Sequence, residues 1–338
     1  MIEVLITLQL NEEQVTSIRD AIKKQIRITH LPVKDSSEIS AEQWKKTEVL
    51  FTSSRVLPEQ EQVPNLKWIQ FNFAGIDAAI AKPIIQSKDV IATSASGVIV
   101  TQIGEYVLMA LLALGHRMPE MHALQHEKKW PGNVYKTLMP KELRGSNVGI
   151  VGYGSIGREV ARLLKPFGAT ILAAKKDAMH PEDAGYVPEG VGDPGGNYFN
   201  RLYPIEALYA MLGECDFVVL ALPLTDDTYH MFNAQAFGAM RTDAYLVNVG
   251  RGDVIDEKDM VGALKEGKIA GAMLDVFSHE PLSEDSPLWS LPNVIVTPHV
   301  SGISPHLIED IVGLFIENMK RYVEGQPLWN RIDVEKGY

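Results

Sequence analysis

A glycine-rich segment over residues 148–157 restricts the fold of this chain more than any other feature. It reads Val148-Gly-Ile-Val-Gly152-Tyr-Gly154-Ser-Ile-Gly157, an apolar stretch followed by glycines at G-x-G-x-x-G spacing. This pattern predicts a strand, a tight turn and a helix whose N-terminus faces the pyrophosphate of a dinucleotide. Gly152 permits the turn, Gly154 admits the phosphates, and Gly157 lets the helix pack on the strand. The predicted cofactor-binding turn also includes Tyr153, Ser155 and Ile156.

From residue 147 onward, short apolar segments alternate with helical segments, as is typical of a doubly wound parallel sheet. We predict strands at 147–151, 169–174, 216–222, 245–249, 269–276 and 294–297, and helices at 156–167, near 204–212 and at 256–266. The segment 178–203 contains three prolines and five glycines, so we predict that it is largely loop and assign it no function.

The first hundred residues show a second, smaller α/β alternation, with apolar runs at 4–8, 49–51, 67–71 and 90–92. Thr101 is the predicted N-cap of a long helix, Gln102 to Arg117, which is apolar on nearly all sides and therefore buried. A last amphipathic helix, about 305–324, is predicted to return to the first domain. The expected fold is α/β: a Rossmann-type sheet in a dinucleotide-binding domain, 101–299, inserted into a smaller flavodoxin-like substrate domain, 1–100 and 300–338. The length of 338 residues suits two domains.

The residues at the end of the second strand of the larger sheet help to determine which dinucleotide binds. This strand ends in Lys175, Lys176 and Asp177, where an NAD site usually offers a carboxylate to the ribose 2'-hydroxyl. Lysines at this place attract a 2'-phosphate, so we expect NADP(H) to be favoured, with NAD(H) possible. Asp177 would support NAD(H) binding if the strand extends further than predicted.

Three residues downstream have the chemistry needed to reduce a 2-oxo acid. Arg251 has a planar guanidinium that can hold a carboxylate and polarise the neighbouring ketone. His299 is the predicted proton donor, because histidine is the side chain whose unperturbed pKa lies near neutrality. Glu280 would pair with the imidazole, fix its tautomer and favour the protonated form.

Each of these three residues lies in a distinctive context: Asn248-Val-Gly-Arg251-Gly-Asp-Val-Ile-Asp256, Leu274-Asp-Val-Phe-Ser-His-Glu280-Pro-Leu282 and Thr297-Pro-His299-Val-Ser-Gly302. Together with the glycine turn, they resemble the D-isomer-specific 2-hydroxyacid dehydrogenase family, from about residue 45 to about residue 325. The resemblance implies the same catalytic roles for Arg251, Glu280 and His299. It further implies action on the D-isomer of a small 2-hydroxy acid, with glyoxylate or hydroxypyruvate as the expected 2-oxo substrate, and a homodimer formed through the helix at 102–117.

The same resemblance implies further binding residues. Ala74 and Gly75 are expected to bind the substrate carboxylate through backbone N–H groups, and Asp275 is expected to hold the nicotinamide carboxamide. The remaining expected cofactor contacts are Leu222, Pro223, Val249 and Gly250.

Three alternative functions remain at this point. Within the fold, formate dehydrogenases place Gln where this chain has Glu280, and phosphite oxidation has no specific support. In another class, an NAD(H)-sensing binding protein of the corepressor type would share the fold and the three residues. That alternative predicts cofactor affinity with negligible turnover of any 2-oxo acid.

The composition limits which classes of partner and which cellular compartment we expect. A net charge of -11 argues against nucleic acid as a partner, and the longest apolar run, Tyr106 to Leu114, is too short to span a bilayer. The single Cys215 and an N-terminus without signal-peptide features suggest the cytoplasm. His122 and His126 stand four apart on a predicted helix, but no third ligand is evident, so we predict solvated histidines and no metal.

Overall fold

The computed structural model describes residues 1–22 and 25–338. The chain divides into two compact units. The first unit consists of Met1–Val98 and Ser304–Tyr338, and the second unit of Ile99–Ile303.

In the described residues, five parallel strands form the sheet of the first unit: β1 Ile2–Ile6, β2 Ile26–His30, β3 Val49–Thr52, β4 Trp68–Phe71 and β5 Ile91–Thr93. Their order is β2-β1-β3-β4-β5, which is the flavodoxin-like order. The sequence reading missed β2, because this edge strand alternates Ile26 and Ile28 with polar residues and is only partly buried.

Seven parallel strands form the sheet of the second unit: β6 Asn147–Val151, β7 Thr170–Lys175, β8 Arg201–Pro204, β9 Phe217–Leu220, β10 Tyr245–Asn248, β11 Gly271–Leu274 and β12 Val294–Val296. Their order is β12-β11-β10-β9-β6-β7-β8. Counted from β6, this is the 3-2-1-4-5-6 order of a Rossmann sheet with one further strand, so the predicted fold class is confirmed. The switch point, where the strand order reverses, lies between β6 and β9.

The helices of the described residues connect these strands and cover the two sheets. They are α1 Glu12–Ile22, α2 Ala41–Lys46, α3 Pro83–Gln86, α4 Val100–Gly115, α5 Met118–His126, α6 Val134–Thr137, α7 Ser155–Leu164, α8 Leu208–Leu212, α9 Ala234–Ala239, α10 Glu257–Lys265 and α11 Leu307–Glu324. None of them combines the length and the hydropathy needed to cross a membrane.

One local prediction is wrong. Thr101 is not an N-cap, because α4 begins at Val100, whose apolar side chain is buried and lies in the first helical turn. The segment 178–203 is largely loop, as predicted, but its last residues, 201–203, belong to β8, which pairs with β7 at the edge of the sheet. Burial of Tyr203 stabilises that pairing.

Helix α11 completes the first unit by packing aromatic and amide side chains onto its sheet. Phe315 stacks on Phe51 at a centroid distance of 4.2 Å. The amide Nδ2 of buried Asn318 donates to Gln70 Oε1 at 2.9 Å, and Asn318 Oδ1 accepts from the backbone N–H of Trp329 at 2.7 Å. Asn318 therefore joins α11, β4 and the C-terminal segment.

Replacing Asn318 tests this junction. Asn318→Ala is expected to lower the free energy of unfolding by about 1–3 kcal/mol, because it leaves partners of a buried amide without hydrogen bonds. Lys320→Ala on the same helix is the control, since it removes only an exposed pair with Glu317. Chemical denaturation measures both variants, and equal midpoints for the two would contradict this role of Asn318.

Candidate active site

The glycine turn forms at the carboxyl end of β6, and two of its glycines are required by close backbone contacts. Gly152 has φ +97°, and a Cβ there would lie 2.5 Å from the carbonyl oxygen of Ala221. A Cβ on Gly157 would lie 2.3 Å from the carbonyl oxygen of Gly152. Any larger residue at either position would push the turn away from its neighbours.

The N-terminus of α7 fits a pyrophosphate. Gly154 occupies the N-cap position and has no side chain to cap the first-turn N–H groups of Ser155, Ile156 and Gly157. A Cβ built on Gly154 meets no heavy atom within 4 Å, so there is space in front of the helix. These N–H groups and the positive end of the helix dipole suit an anion.

The loops after β9 and β10 lie against each other at the same edge of the sheet. A Cβ on Gly250 would lie 2.6 Å from the carbonyl oxygen of Leu222. Thr228 closes the loop after β9, since its Oγ1 donates to the carbonyl of Pro223 at 2.7 Å and accepts from the N–H of Thr225 at 2.8 Å. Val249, which directly precedes Gly250, is buried. The predicted cofactor residues of these two loops are thus neighbours.

The lysines at the end of β7 have different surroundings. Lys175 Nζ donates to the carbonyl oxygen of His180, and burial, followed by the charge of Arg158, lowers the pKa of Lys175. Lys176 Nζ forms an ion pair with the Asp227 carboxylate at 2.6 Å. Of the two, Lys176 is the more exposed.

The carboxylate of Asp177 also has hydrogen-bond partners. Its Oδ2 lies 2.8 Å from Nδ1 of His180, and its Oδ1 accepts from the N–H of Met179 at 3.2 Å. A role for Asp177 in binding NAD(H) would require it to exchange these contacts.

Residues 178–200 are tied to the cofactor turn, a connection that the sequence reading missed. Tyr153 Oη donates to Oδ2 of buried Asp193 at 2.7 Å, and burial raises the pKa of Tyr153. The Arg158 guanidinium lies over the Tyr153 ring at 4.9 Å and donates to the carbonyls of Asp193 and Pro181. The segment therefore packs directly behind the glycine turn.

Arg251 follows β10 and is held by its own backbone and by Asn248. The amide of Asn248 donates to the Arg251 carbonyl at 3.0 Å and accepts from the Gly250 N–H at 3.0 Å, while Arg251 Nη1 donates to the Gly250 carbonyl at 2.8 Å. A Cβ on Gly252 would lie 1.9 Å from the carbonyl carbon of Phe277. This backbone contact joins the Arg251 loop to the loop that carries Glu280.

Glu280 and His299 form a hydrogen-bonded pair. Glu280 Oε2 lies 2.7 Å from His299 Nδ1, and Glu280 Oε1 accepts from the Phe277 N–H at 3.0 Å. The His299 side chain is about half exposed, at 49%. The predicted pairing is present, and it engages Nδ1 of the imidazole, so proton transfer to a substrate would use the other ring nitrogen, Nε2.

The backbone of His299 is in the left-handed region, with φ +53°, and Asp275 holds it there. Asp275 is fully buried and accepts from Thr297 Oγ1 at 2.6 Å, Val300 N–H at 2.9 Å and Ser301 N–H at 2.8 Å. The His299 N–H donates to the Asp275 carbonyl at 3.0 Å. These contacts give Asp275 a positioning role, and its contact with a nicotinamide carboxamide stays a prediction.

Tyr106 of α4 extends this network. Its hydroxyl lies 2.5 Å from Thr297 Oγ1, and burial raises the pKa of Tyr106 to about 12. Neither Tyr106 nor Thr297 was predicted as a site residue, because their link joins positions far apart in the sequence.

The remaining predicted residues lie elsewhere. Ala74 and Gly75 lie in the loop after β4, at the carboxyl edge of the first unit's sheet, where ligands of open α/β sheets bind. The His122 and His126 rings meet edge to face at 4.6 Å. Across residues 1–22 and 25–338, no three His, Cys, Asp or Glu side chains group as metal ligands would.

Known proteins resemble this chain in both sequence and fold. The family model described as D-isomer specific 2-hydroxyacid dehydrogenase, NAD binding domain, matches residues 108–301. A glyoxylate reductase of Korarchaeum cryptofilum (strain OPF8) is 33% identical over 278 residues, covering 81% of this chain and 78% of the relative.

Two solved structures extend the likeness over the whole chain. A D-isomer specific 2-hydroxyacid dehydrogenase from Xanthobacter autotrophicus Py2, in complex with NADPH and MES, superposes with a TM-score of 0.81 at 25% identity and covers 99% of both chains. An NADPH-dependent glyoxylate/hydroxypyruvate reductase from Sinorhizobium meliloti, in complex with NADP and sulfate, gives a TM-score of 0.76 at 27% identity and 100% coverage of both.

The role of Asp275 in holding the His299 loop is testable without a substrate. Asp275→Asn replaces an acceptor oxygen by an N–H donor facing other donors, so amides in residues 297–303 are expected to exchange hydrogen at least about tenfold faster, as a loss of about 1–3 kcal/mol implies. Hydrogen exchange with mass spectrometry measures this, with Asp285→Asn, an exposed position, as control. Unchanged exchange in 297–303 would refute the role.

Proposed function

Because the chain belongs to the D-isomer specific 2-hydroxyacid dehydrogenase family, whose members are NAD(P)-dependent oxidoreductases, we propose that it reduces a small 2-oxo acid, glyoxylate or hydroxypyruvate, with NADPH favoured over NADH. The observation that carries this proposal is the His299–Glu280 pair at 2.7 Å, in the same unit as Arg251 and the glycine turn. A carboxylate-paired histidine suits proton transfer to a ketone oxygen, which hydride transfer to a 2-oxo acid requires.

Each of the three proposed catalytic residues has its own role in the reduction of the 2-oxo acid. When bound, the reduced nicotinamide supplies the hydride. Arg251 binds the substrate carboxylate and polarises the carbonyl, His299 donates a proton from Nε2 to the carbonyl oxygen, and Glu280 stabilises the charged imidazole through Nδ1. In oxidation of the hydroxy acid, the same His299 nitrogen accepts the proton.

We assign the cofactor site to the second unit, which also carries Arg251, and a further substrate-binding role to the first unit. The glycine turn, Leu222, Pro223, Val249 and Gly250 support the first assignment, and the backbone of Ala74 and Gly75 supports the second. Lys175 and Lys176 at the end of β7 support NADP(H) as the favoured cofactor, as do the NADP-containing relatives.

Loss of the proton donor is the decisive test of this chemistry. His299→Ala is expected to lower kcat by at least about 100-fold with glyoxylate or hydroxypyruvate, because general acid catalysis contributes about 10²–10⁴-fold. Affinity for NADPH is expected to change by less than about threefold, because the imidazole acts on the substrate and not on the dinucleotide.

The assay follows oxidation of NADPH and of NADH with glyoxylate, hydroxypyruvate, pyruvate and phenylpyruvate. His306→Ala serves as control, since His306 is exposed and pairs only weakly with Glu309. An active His299→Ala enzyme would refute the acid role. Cofactor binding without turnover of any acid in the wild-type protein would favour the sensing protein instead.

The proposed enzyme is a homodimer formed through α4 and the segment after it. Large apolar side chains are exposed there: Met109, Met118, Trp130, Tyr135 and Met139. Burial of these exposed apolar side chains against a second copy of the chain would stabilise the dimer.

The oligomeric state can be measured directly. Light scattering after gel filtration is expected to give about twice the chain mass of 37.4 kDa, and Met109→Glu with Trp130→Glu to give the monomer mass, because charges would be buried in the interface. Met179→Glu, at another exposed methionine, is the control. A monomeric wild-type protein would rule the dimer out.

The proposed location is the cytoplasm. The single thiol, Cys215, is buried and free, and burial raises its pKa to about 12, which suits an unreactive core residue in a reducing compartment.

A further inference from the structure

An ion pair connects two loops that flank the glycine turn. Lys176 Nζ lies 2.6 Å from Asp227 Oδ2, and both side chains are mainly exposed, at 65% and 69%. Lys176 directly follows β7, and Asp227 lies in the loop that follows β9.

The topology places this pair beside the adenosine subsite. Strands β7 and β9 are the two neighbours of β6, so their carboxyl ends lie on either side of the glycine turn. In a Rossmann sheet the adenosine ribose lies at the end of the second strand, where a residue contacts its 2'-position. Here that second strand is β7.

Lys176 is better placed than Lys175 to meet a 2'-phosphate. Lys175 is partly buried, and its ammonium already donates to the His180 carbonyl. Lys176 is exposed, and an exposed ion pair is weak enough to exchange partners in water. Its carboxylate partner will remain nearby, because Thr228 Oγ1 fixes the loop through Pro223 and Thr225.

We propose that Asp227 sets the cofactor selectivity of this enzyme, as an internal counter-ion that competes with the 2'-phosphate of NADP(H) for Lys176. NADP(H) must exchange the Asp227 carboxylate for its own phosphate, and it then lies close to a like charge. NAD(H) brings only a 2'-hydroxyl, so the Lys176–Asp227 pair stays closed. This inference rests on the proposed function, because it requires a nicotinamide dinucleotide at this edge of the sheet.

The test uses fragments that occupy only the adenosine half. Calorimetry on the full chain measures the Kd of adenosine 2',5'-bisphosphate and of adenosine 5'-monophosphate. In Asp227→Asn the bisphosphate is expected to bind about three- to tenfold tighter, as the removal of one nearby negative charge implies, with less than about twofold change for the monophosphate.

Three further variants isolate the pair. Asp226→Asn removes the same charge from an exposed neighbour but keeps the Lys176–Asp227 pair, and it is expected to change both Kd values by less than about twofold. Lys176→Gln is expected to weaken the bisphosphate selectively. In Lys176→Gln with Asp227→Asn, the gain from Asp227→Asn is expected to be smaller than in the wild-type background.

Three results would overturn the inference. They are an unchanged bisphosphate Kd in Asp227→Asn, equal tightening of both fragments, and an equal effect from Asp226→Asn. In each case the fragments still bind, so the proposed function stands. If neither fragment binds any variant, the dinucleotide site itself is contradicted, and the role of Asp227 falls with it.

Discussion

Close contact between backbone segments at the carboxyl edge of the second unit's sheet is the constraint on which the site depends. Glycines make four such contacts: Gly152 with Ala221, Gly157 with Gly152, Gly250 with Leu222, and Gly252 with Phe277. Each contact leaves no room for a Cβ, so the loops can approach only where the side chain is absent. Because the strands are parallel, their carboxyl ends meet at one edge, and these contacts fix the helix N-terminus, the Arg251 loop and the Glu280 loop relative to one another.

The buried carboxylate of Asp275 fixes the position of His299, the proposed proton donor. A buried charge is costly unless donors satisfy it, and here two backbone N–H groups and the Thr297 hydroxyl do so. All three donors come from the loop that carries His299. The interaction that stabilises the buried charge therefore also holds His299 in its left-handed backbone conformation, with Nδ1 against Glu280. Stability of the loop and orientation of the imidazole have the same physical cause.

The sequence predicts the features that arise from local pattern. The glycine spacing predicts the turn at 152–157, and alternating apolar runs predict β6, β7 and the strands from β9 to β12, because each buried parallel strand is a continuous apolar run. The strands β2 and β8 lack a continuous apolar run, because polar residues or proline interrupt both, which explains why they were missed. The Tyr153–Asp193 hydrogen bond could not be predicted from the sequence, because a loop rich in proline and glycine has no periodicity that predicts its path.

Electrostatics around the end of β7 connects the segment 178–200 to cofactor choice. Lys175 and Lys176 are the proposed contacts of a 2'-phosphate, yet each already has a partner: the His180 carbonyl for Lys175 and the Asp227 carboxylate for Lys176. The first partner belongs to a segment that Asp193 anchors to Tyr153 of the glycine turn, so Lys175 is held by the same structure that supports the pyrophosphate site. A 2'-phosphate must therefore compete with the partners that the two lysines already have. The proposed selectivity for NADP(H) depends on how far the affinity of the lysines for the phosphate exceeds their affinity for these partners. Such a site favours one cofactor by degree and retains measurable affinity for the other.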